Sequence, residues 1–283
     1  MEFRTEVRID GPTWKIGPCE SVFFVGSCFA DNIGRRFKEE GFPVVVNPYG
    51  TMYNPASVLH TVERYLSETA GGKQERIDTC FITLGTNRIY ILKETGEIVD
   101  NCRKRPQKLF EERELTVDEC ACYLKKAVEI LHRNNPDMHI VFTVSPIRYR
   151  KYGYHESRLA KATLLLATRD VIDNANSRLF YFPAYEIQND ELRDYRFYEQ
   201  DMIHPSGQAV EYIWERLVES CFSPEAKHYL DEWRPLKEAI GHRPFNSESE
   251  EYRLFMQKTR EKITAFSEKY PNFALVTEDD KPL

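Results

Sequence analysis

Five short runs of β-branched and aromatic residues punctuate the first 190 positions: SVFFVG at 21–26, PVVVN at 43–47, TCFITLG at 79–85, HIVFTVS at 139–145 and RLFYFPAYEI at 178–187. They are apolar throughout rather than alternating, the pattern of strands covered on both faces. Between them the apolar spacing becomes helical. Phe29, Ile33 and Phe37 recur every four residues before Gly41, a residue suited to ending a helix. Pro55 opens a second helix with Val58, Val62 and Leu66 on one stripe, and Thr116-Val-Asp-Glu119 is a capping box ahead of Leu124, Val128 and Leu131. Ser157 to Ile172 supplies a fourth helix. A fifth starts at Pro205 or Ser206 and carries Val210, Ile213, Trp214, Leu217, Val218 and Cys221 on helical spacing. Five alternations of strand and helix predict an α/β protein, a doubly wound, flavodoxin-like, five-stranded parallel sheet with helices on both faces. One interruption, IYIL and EIV about a Glu94-Thr95-Gly96 turn, predicts an antiparallel hairpin over 89–99.

Beyond residue 222 strands give way to helices alone, at Glu225 to Ile240 and Glu248 to Lys269, separated by HRPFNSES. The expected organisation is a sheet domain over 1–222 and a helical C-terminal extension over 223–283, too short to bury a core of its own and so packed on the sheet domain. At 283 residues the chain can hold a substantial core, and 39 Lys plus Arg against 45 Asp plus Glu leave a net charge of −6. That balance carries no basic footprint for a nucleic acid. The opening MEFRTEVRID has no apolar stretch of a secretory leader, and no run reaches 18 apolar residues. The expectation is a cytoplasmic protein without a membrane partner. Seven irregularly spaced cysteines lack the C-x-x-C pairs of zinc ribbons, and the histidines lack H-x-x-x-H spacing. Free thiols, no metal and no cofactor are expected.

In an open α/β sheet, ligands bind beyond the carboxyl ends of the strands. The first strand runs into Gly26-Ser27-Cys28-Phe29-Ala30, placing Ser27 at a helix mouth where backbone N–H groups favour developing negative charge. Ser27 there is either a nucleophile or a helix N-cap. Asp201-Met-Ile-His204 follows the fifth strand, and a carboxylate three residues before a histidine can reach Nδ1 in one turn, freeing Nε2 to take a proton. The same pair can also be a surface ion pair. Gly50, in Asn47-Pro-Tyr-Gly50, could aim its N–H into the crevice, and Asn87, in Gly85-Thr86-Asn87, its side-chain amide; both residue types are also frequent in plain turns. Asn47 and Tyr53 are expected to line the crevice, and Arg148 either to bind a substrate anion or to make a structural ion pair. Cys28 is a competing nucleophile; as the first helical residue its side chain is expected to point back to the sheet as a small buried apolar group.

Gly26-Ser-Cys-Phe-Ala30 resembles the signature of the GSCFA family, a branch of the SGNH hydrolase superfamily. The similarity extends to Asn47-Pro-Tyr-Gly-Thr-Met-Tyr-Asn-Pro55, Thr83-Leu-Gly-Thr86, Thr143-Val-Ser-Pro-Ile-Arg148, Asp201-Met-Ile-His-Pro205 and His242-Arg-Pro-Phe245, and spans roughly residues 10 to 280. The resemblance implies an SGNH-type fold and site, with Ser27 as nucleophile, His204 as base, Asp201 as its orienter, and Ser27 N–H, Gly50 N–H and Asn87 as the oxyanion hole. The expected activity is hydrolysis of an ester, such as an acyl group on a carbohydrate or other small molecule, through an acyl-enzyme. Three positions depart from the pattern: the superfamily's usual G-D-S is G-S-C here, Arg88 stands where G-x-N-D has Asp, and Tyr149 stands where relatives carry histidine. Two other functions fit the same residues. One is thiol chemistry at Cys28; the other is a non-catalytic scaffold whose C-terminal aromatics, Phe245, Tyr252, Phe255 and Phe266, form a partner surface.

Overall fold

A computed structural model of the chain describes residues 4–69, 76–102, 104–173, 177–246 and 248–275. Five strands form one parallel sheet: β1 (Val22–Gly26), β2 (Val44–Val46), β3 (Thr79–Leu84), β7 (His139–Val144) and β8 (Leu179–Tyr181), in the order β2-β1-β3-β7-β8. β1 and β3 are buried at every position because helices cover both faces. On one face α1 (Cys28–Glu39) and α6 (Gly207–Cys221) pack Phe29, Ile33, Phe37, Ile213 and Trp214 against Phe24 and Phe81. On the other, α2 (Pro55–Thr69), α3 (Val117–Asn134) and α4 (Tyr154–Asp173) pack Val58, Val62, Leu124 and Leu164 against Phe23, Ile82 and Phe142. The chain leaves β1 toward β2 and returns past it to β3, so the winding reverses between β1 and β3. A crevice opens at such a reversal, beyond the strands' carboxyl ends.

Local chemistry accounts for the element ends. Thr116 accepts from the Glu119 N–H while Glu119 accepts from the Thr116 N–H, the reciprocal cap expected from that spacing. Ser206 caps α6. The expected hairpin is instead a three-stranded antiparallel sheet, β4 (Arg88–Leu92), β5 (Ile98–Val99) and β6 (Phe110–Glu114), in the order β5-β4-β6. The sequence of β6, FEERE, lacks apolar alternation; it is held by its ladder to β4 and by the Arg88–Glu114 ion pair, neither visible in a hydrophobic pattern. The fifth apolar run is strand only to Tyr181. Pro183, which has no N–H to give a ladder, turns the chain into the short α5 (Ala184–Glu186).

Two further helices follow, α7 (Pro224–Gly241) and α8 (Glu250–Lys269). Their Tyr229, Leu230, Trp233 and Phe266 belong to the same core as α1 and α6. They also satisfy the carboxyl end of α1, whose last carbonyls have no intrahelical donors: the Tyr229 hydroxyl donates to Glu40 O at 2.6 Å and Trp233 Nε1 to Glu39 O at 3.0 Å. Lys237 reaches the Glu40 carboxylate at 2.5 Å. Among the described residues no helix is long and apolar enough to cross a membrane. Tyr229→Phe is expected to cost about 1 kcal/mol, the loss of one hydrogen bond, and Trp233→Ala about 3–5 kcal/mol. Urea unfolding of the full chain followed by circular dichroism measures both.

Candidate active site

The end of β1 is tightly built. Gly26 has φ +143°, and a Cβ on it would lie 2.1 Å from the Thr83 carbonyl oxygen. Ser27 follows with its N–H on that same carbonyl at 3.0 Å, its Oγ 3.2 Å from Thr83 Oγ1, and its Oγ accepting from the Phe29 N–H at 3.3 Å. It is the N-cap of α1 and is 1% exposed. Both of its polar groups are thereby engaged in structure, and the meeting of Ser27 with His204 expected from sequence does not occur.

His204 meets Cys28 instead. The Cys28 sulfur lies 3.5 Å from His204 Nε2, and His204 Nδ1 lies 2.5 Å from Asp201 Oδ2. Position explains the exchange. An N-cap side chain folds back onto its own helix's amides, whereas Cys28, the first residue inside α1, is half-buried: it packs against the core as anticipated, and its sulfur also reaches His204. Counted from the glycine, Cys28 also holds the third place of the G-D-S pattern. Its own N–H is one of the helix N-terminal amides with no intrahelical acceptor, so an anion formed at the sulfur's partner would meet a donor and the positive end of the helix dipole.

The loop before α6 is organised by Asp201. Its Oδ1 accepts from the N–H groups of Ile203 (2.8 Å) and His204 (3.0 Å), while Oδ2 takes the imidazole. The His204 backbone N–H first, then its ring and the Ile203 N–H, hold the Asp201 carboxyl down to about 2. It is therefore ionised at neutral pH. Burial, and next the Asp31 carboxylate, push the Cys28 thiol up from its ordinary value. The resting proton thus sits on sulfur, within reach of His204 Nε2. The His204 and Asp201 side chains are 41% and 44% exposed, so water reaches the pair directly.

The remaining sequence candidates have other tasks. Gly50 donates its N–H to Asn47 O at 2.8 Å, closing a turn at φ +93°, and so is not free for an oxyanion. Asn87 donates its side-chain amide to Leu115 O at 2.8 Å and accepts from Leu115 N–H on its own carbonyl, anchoring the start of β4 to the segment after β6. Asn47, expected to touch substrate, is buried: its Oδ1 accepts from Gly26 N–H and its Nδ2 donates to Asp31, joining β1, α1 and the loop after β2. Arg148 donates from its backbone to Ile203 O and from its guanidinium to Met202 O, both at 3.1 Å, and lies over the Tyr154 ring. It braces the Asp201–His204 loop. Tyr53 is partly exposed at the crevice, edge-on to Tyr149 with centroids 5.9 Å apart, and its carbonyl accepts from Gly85 and Thr86. Sequence reading passed over Lys161, although its place on the inward stripe of α4 with Ser157, Leu164 and Thr168 was a signal.

Among solved structures, the chain is similar to a family 3 carbohydrate esterase from Clostridium thermocellum, at 11% identity over 79% of this chain and 99% of that one, with a TM-score of 0.42. It is also similar to a member of the lipolytic protein G-D-S-L family from Veillonella parvula, at 11% identity over 71% and 97%, with a TM-score of 0.44. No curated protein matches its sequence. The GSCFA family profile matches overlapping segments 21–77 and 68–217, which hold both Gly26-Ser-Cys-Phe-Ala30 and Asp201-Met-Ile-His204, and the profile of the GSCFA domain protein C-terminal domain matches 233–280. With most of its length matched, from the end of β1 to the loop that carries His204 and on into the last helices, the chain belongs to the GSCFA family.

Proposed function

We propose that the protein is an acyl hydrolase acting on an ester of a small molecule, with Cys28 as nucleophile, His204 as general base and acid, and Asp201 as orienter. The observation that carries this reading is the line Cys28 Sγ, His204 Nε2, His204 Nδ1, Asp201 Oδ2, with separations of 3.5 and 2.5 Å. In the first half-reaction His204 Nε2 takes the thiol proton, the sulfur adds to the ester carbonyl, and the oxyanion faces the Cys28 N–H at the start of α1. Collapse breaks the C–O bond. The alkoxide leaves with the proton from His204, and a thioester remains on Cys28. Water, deprotonated by His204, then opens the thioester, and the carboxylic acid and free thiol result.

The raised thiol favours this stepwise proton transfer over a standing thiolate–imidazolium pair. Ser27 in this reading supports the helix rather than the bond-making, and thiol chemistry takes the place of the serine chemistry that the motif implies.

Intact mass after reaction with p-nitrophenyl acetate is expected to show one acetyl group, lost on hydroxylamine treatment and mapped to Cys28. Cys28→Ala and His204→Ala are expected to lower kcat/KM by about 10³-fold or more, by analogy with other triads. Ser27→Ala is expected to retain catalysis in the folded protein while losing about 1 kcal/mol of stability with the cap. The opposite pattern, turnover surviving Cys28→Ala and lost in folded Ser27→Ala, would return the role to Ser27.

Asp201→Asn is expected to lower kcat by about 10²- to 10⁴-fold at pH 7, since the amide can hold the wrong imidazole tautomer. The sign of the pH effect follows from the lowered Asp201 carboxyl: its bracket on the loop is complete above the ordinary carboxyl range and is lost as pH falls through about 2. The kcat/KM profile of the wild type measured from pH 4 to 9 is therefore expected to carry no limb from the Asp201 carboxyl.

A further inference from the structure

Asn47 follows β2 directly, stands at φ +41° and is 7% exposed. In a parallel ladder the hydrogen bonds are evenly spaced. Val22 N–H goes to Pro43 O and Asn47 N–H to Phe24 O, so the next rung would carry Gly26 N–H to the backbone carbonyl of residue 47. That carbonyl is turned away and accepts from Gly50 N–H at 2.8 Å. The Asn47 side chain takes its place: Oδ1 accepts from Gly26 N–H at 2.9 Å, and Nδ2 donates to Asp31 Oδ1 at 2.8 Å.

These demands leave one residue type. A left-handed backbone is adopted most readily by glycine, asparagine and aspartate. Glycine has no side chain to complete the rung, and aspartate has no donor and would set a second carboxylate against Asp31. Asparagine supplies acceptor and donor together. The place of this rung bears on the site, because Gly26 lies two residues before Cys28 and Asp31 three residues after it, on the same face of α1. Asn47 therefore grips the chain on both sides of the thiol, joining the end of β1 to the first turn of α1. The Gly26 carbonyl accepts from Met52 N–H at 2.7 Å, so the segment after β2 holds both polar groups of Gly26.

We propose that Asn47 is a positioning residue, whose side-chain amide, bonded to Gly26 and Asp31, sets the Cys28 sulfur at its distance from His204. This rests on the reading of Cys28 as nucleophile. The test is kcat/KM for p-nitrophenyl acetate at neutral pH, measured on the full chain well below the Tm of each variant. Asn47→Gly keeps the left-handed backbone and the turn to Gly50 while deleting both side-chain bonds. Asn47→Asp opposes two carboxylates, and adding Asp31→Asn restores the pair with donor and acceptor exchanged. Each single variant at position 47 is expected to lower kcat/KM by about 10- to 100-fold, the scale of a 1 Å misplacement. The exchanged pair is expected to return kcat/KM to within about threefold of wild type, since the two changes share one hydrogen bond. A residue that served stability alone would lower Tm and leave kcat/KM of the folded protein unchanged. If Asn47→Asp does not fold, Asn47→Gly carries the comparison, because it asks nothing new of the backbone. A folded single variant with wild-type kcat/KM, or a loss that the exchanged pair does not reverse, would overturn the inference. All of these variants keep Cys28 and His204, so the outcome is separate from failure of the nucleophile reading, which is seen when turnover survives Cys28→Ala.

Discussion

The contact of Gly26 and Ser27 with Thr83 governs the geometry of the whole crevice. β1 and β3 approach so closely at their carboxyl ends that a side chain at position 26 would strike the Thr83 backbone. Glycine there lets the strand turn at positive φ, and the next residue then places both its amide and its hydroxyl on Thr83. Ser27 is fixed at the helix cap by three hydrogen bonds. As a result α1 starts at Cys28, and the first side chain free to face the crevice is a thiol.

α1 transmits this constraint through the molecule. At its amino end it carries the Cys28 thiol; at its carboxyl end Tyr229 and Trp233, from α7, take up its last carbonyls. The aromatic core of Phe37, Phe42, Trp214, Phe222 and Tyr229 fills the space between. A thiol borne on a helix clamped at both ends is held more exactingly than one on a loop. Its partner comes from a loop, and there polar bonds supply the rigidity: Asp201 binds two backbone amides and the imidazole, and Arg148 binds two carbonyls of the same segment.

How far the site could be read from sequence depended on what each residue type reports. Asp201 and His204 were legible because three-residue spacing alone can bring carboxylate to imidazole. Gly50, Asn47 and Asn87 carried the right chemistry for donors or substrate contacts, yet a turn, a bracket to Asp31 and a tie to Leu115 had already claimed their amides. Partners such as Leu115, 28 positions from Asn87, leave no trace in local pattern. β6 escaped detection for a related reason, since its charged residues pair across a ladder rather than toward a core. Lys161 was open to detection as a lysine on a buried stripe, but the acceptors of its ammonium, Gly85 O and Ser145 O, are backbone groups that any sequence would supply.

By itself the sequence determined the alternation of five buried strands with helices and the set of motifs that fall at the strand ends. Hydrophobic periodicity and capping chemistry are local, and they suffice for these. Tertiary structure alone decided which of two adjacent residues, Ser27 or Cys28, faces His204. That choice turns on a single step of helix register, set by the close approach of β1 to Thr83, a residue 56 positions away from Ser27.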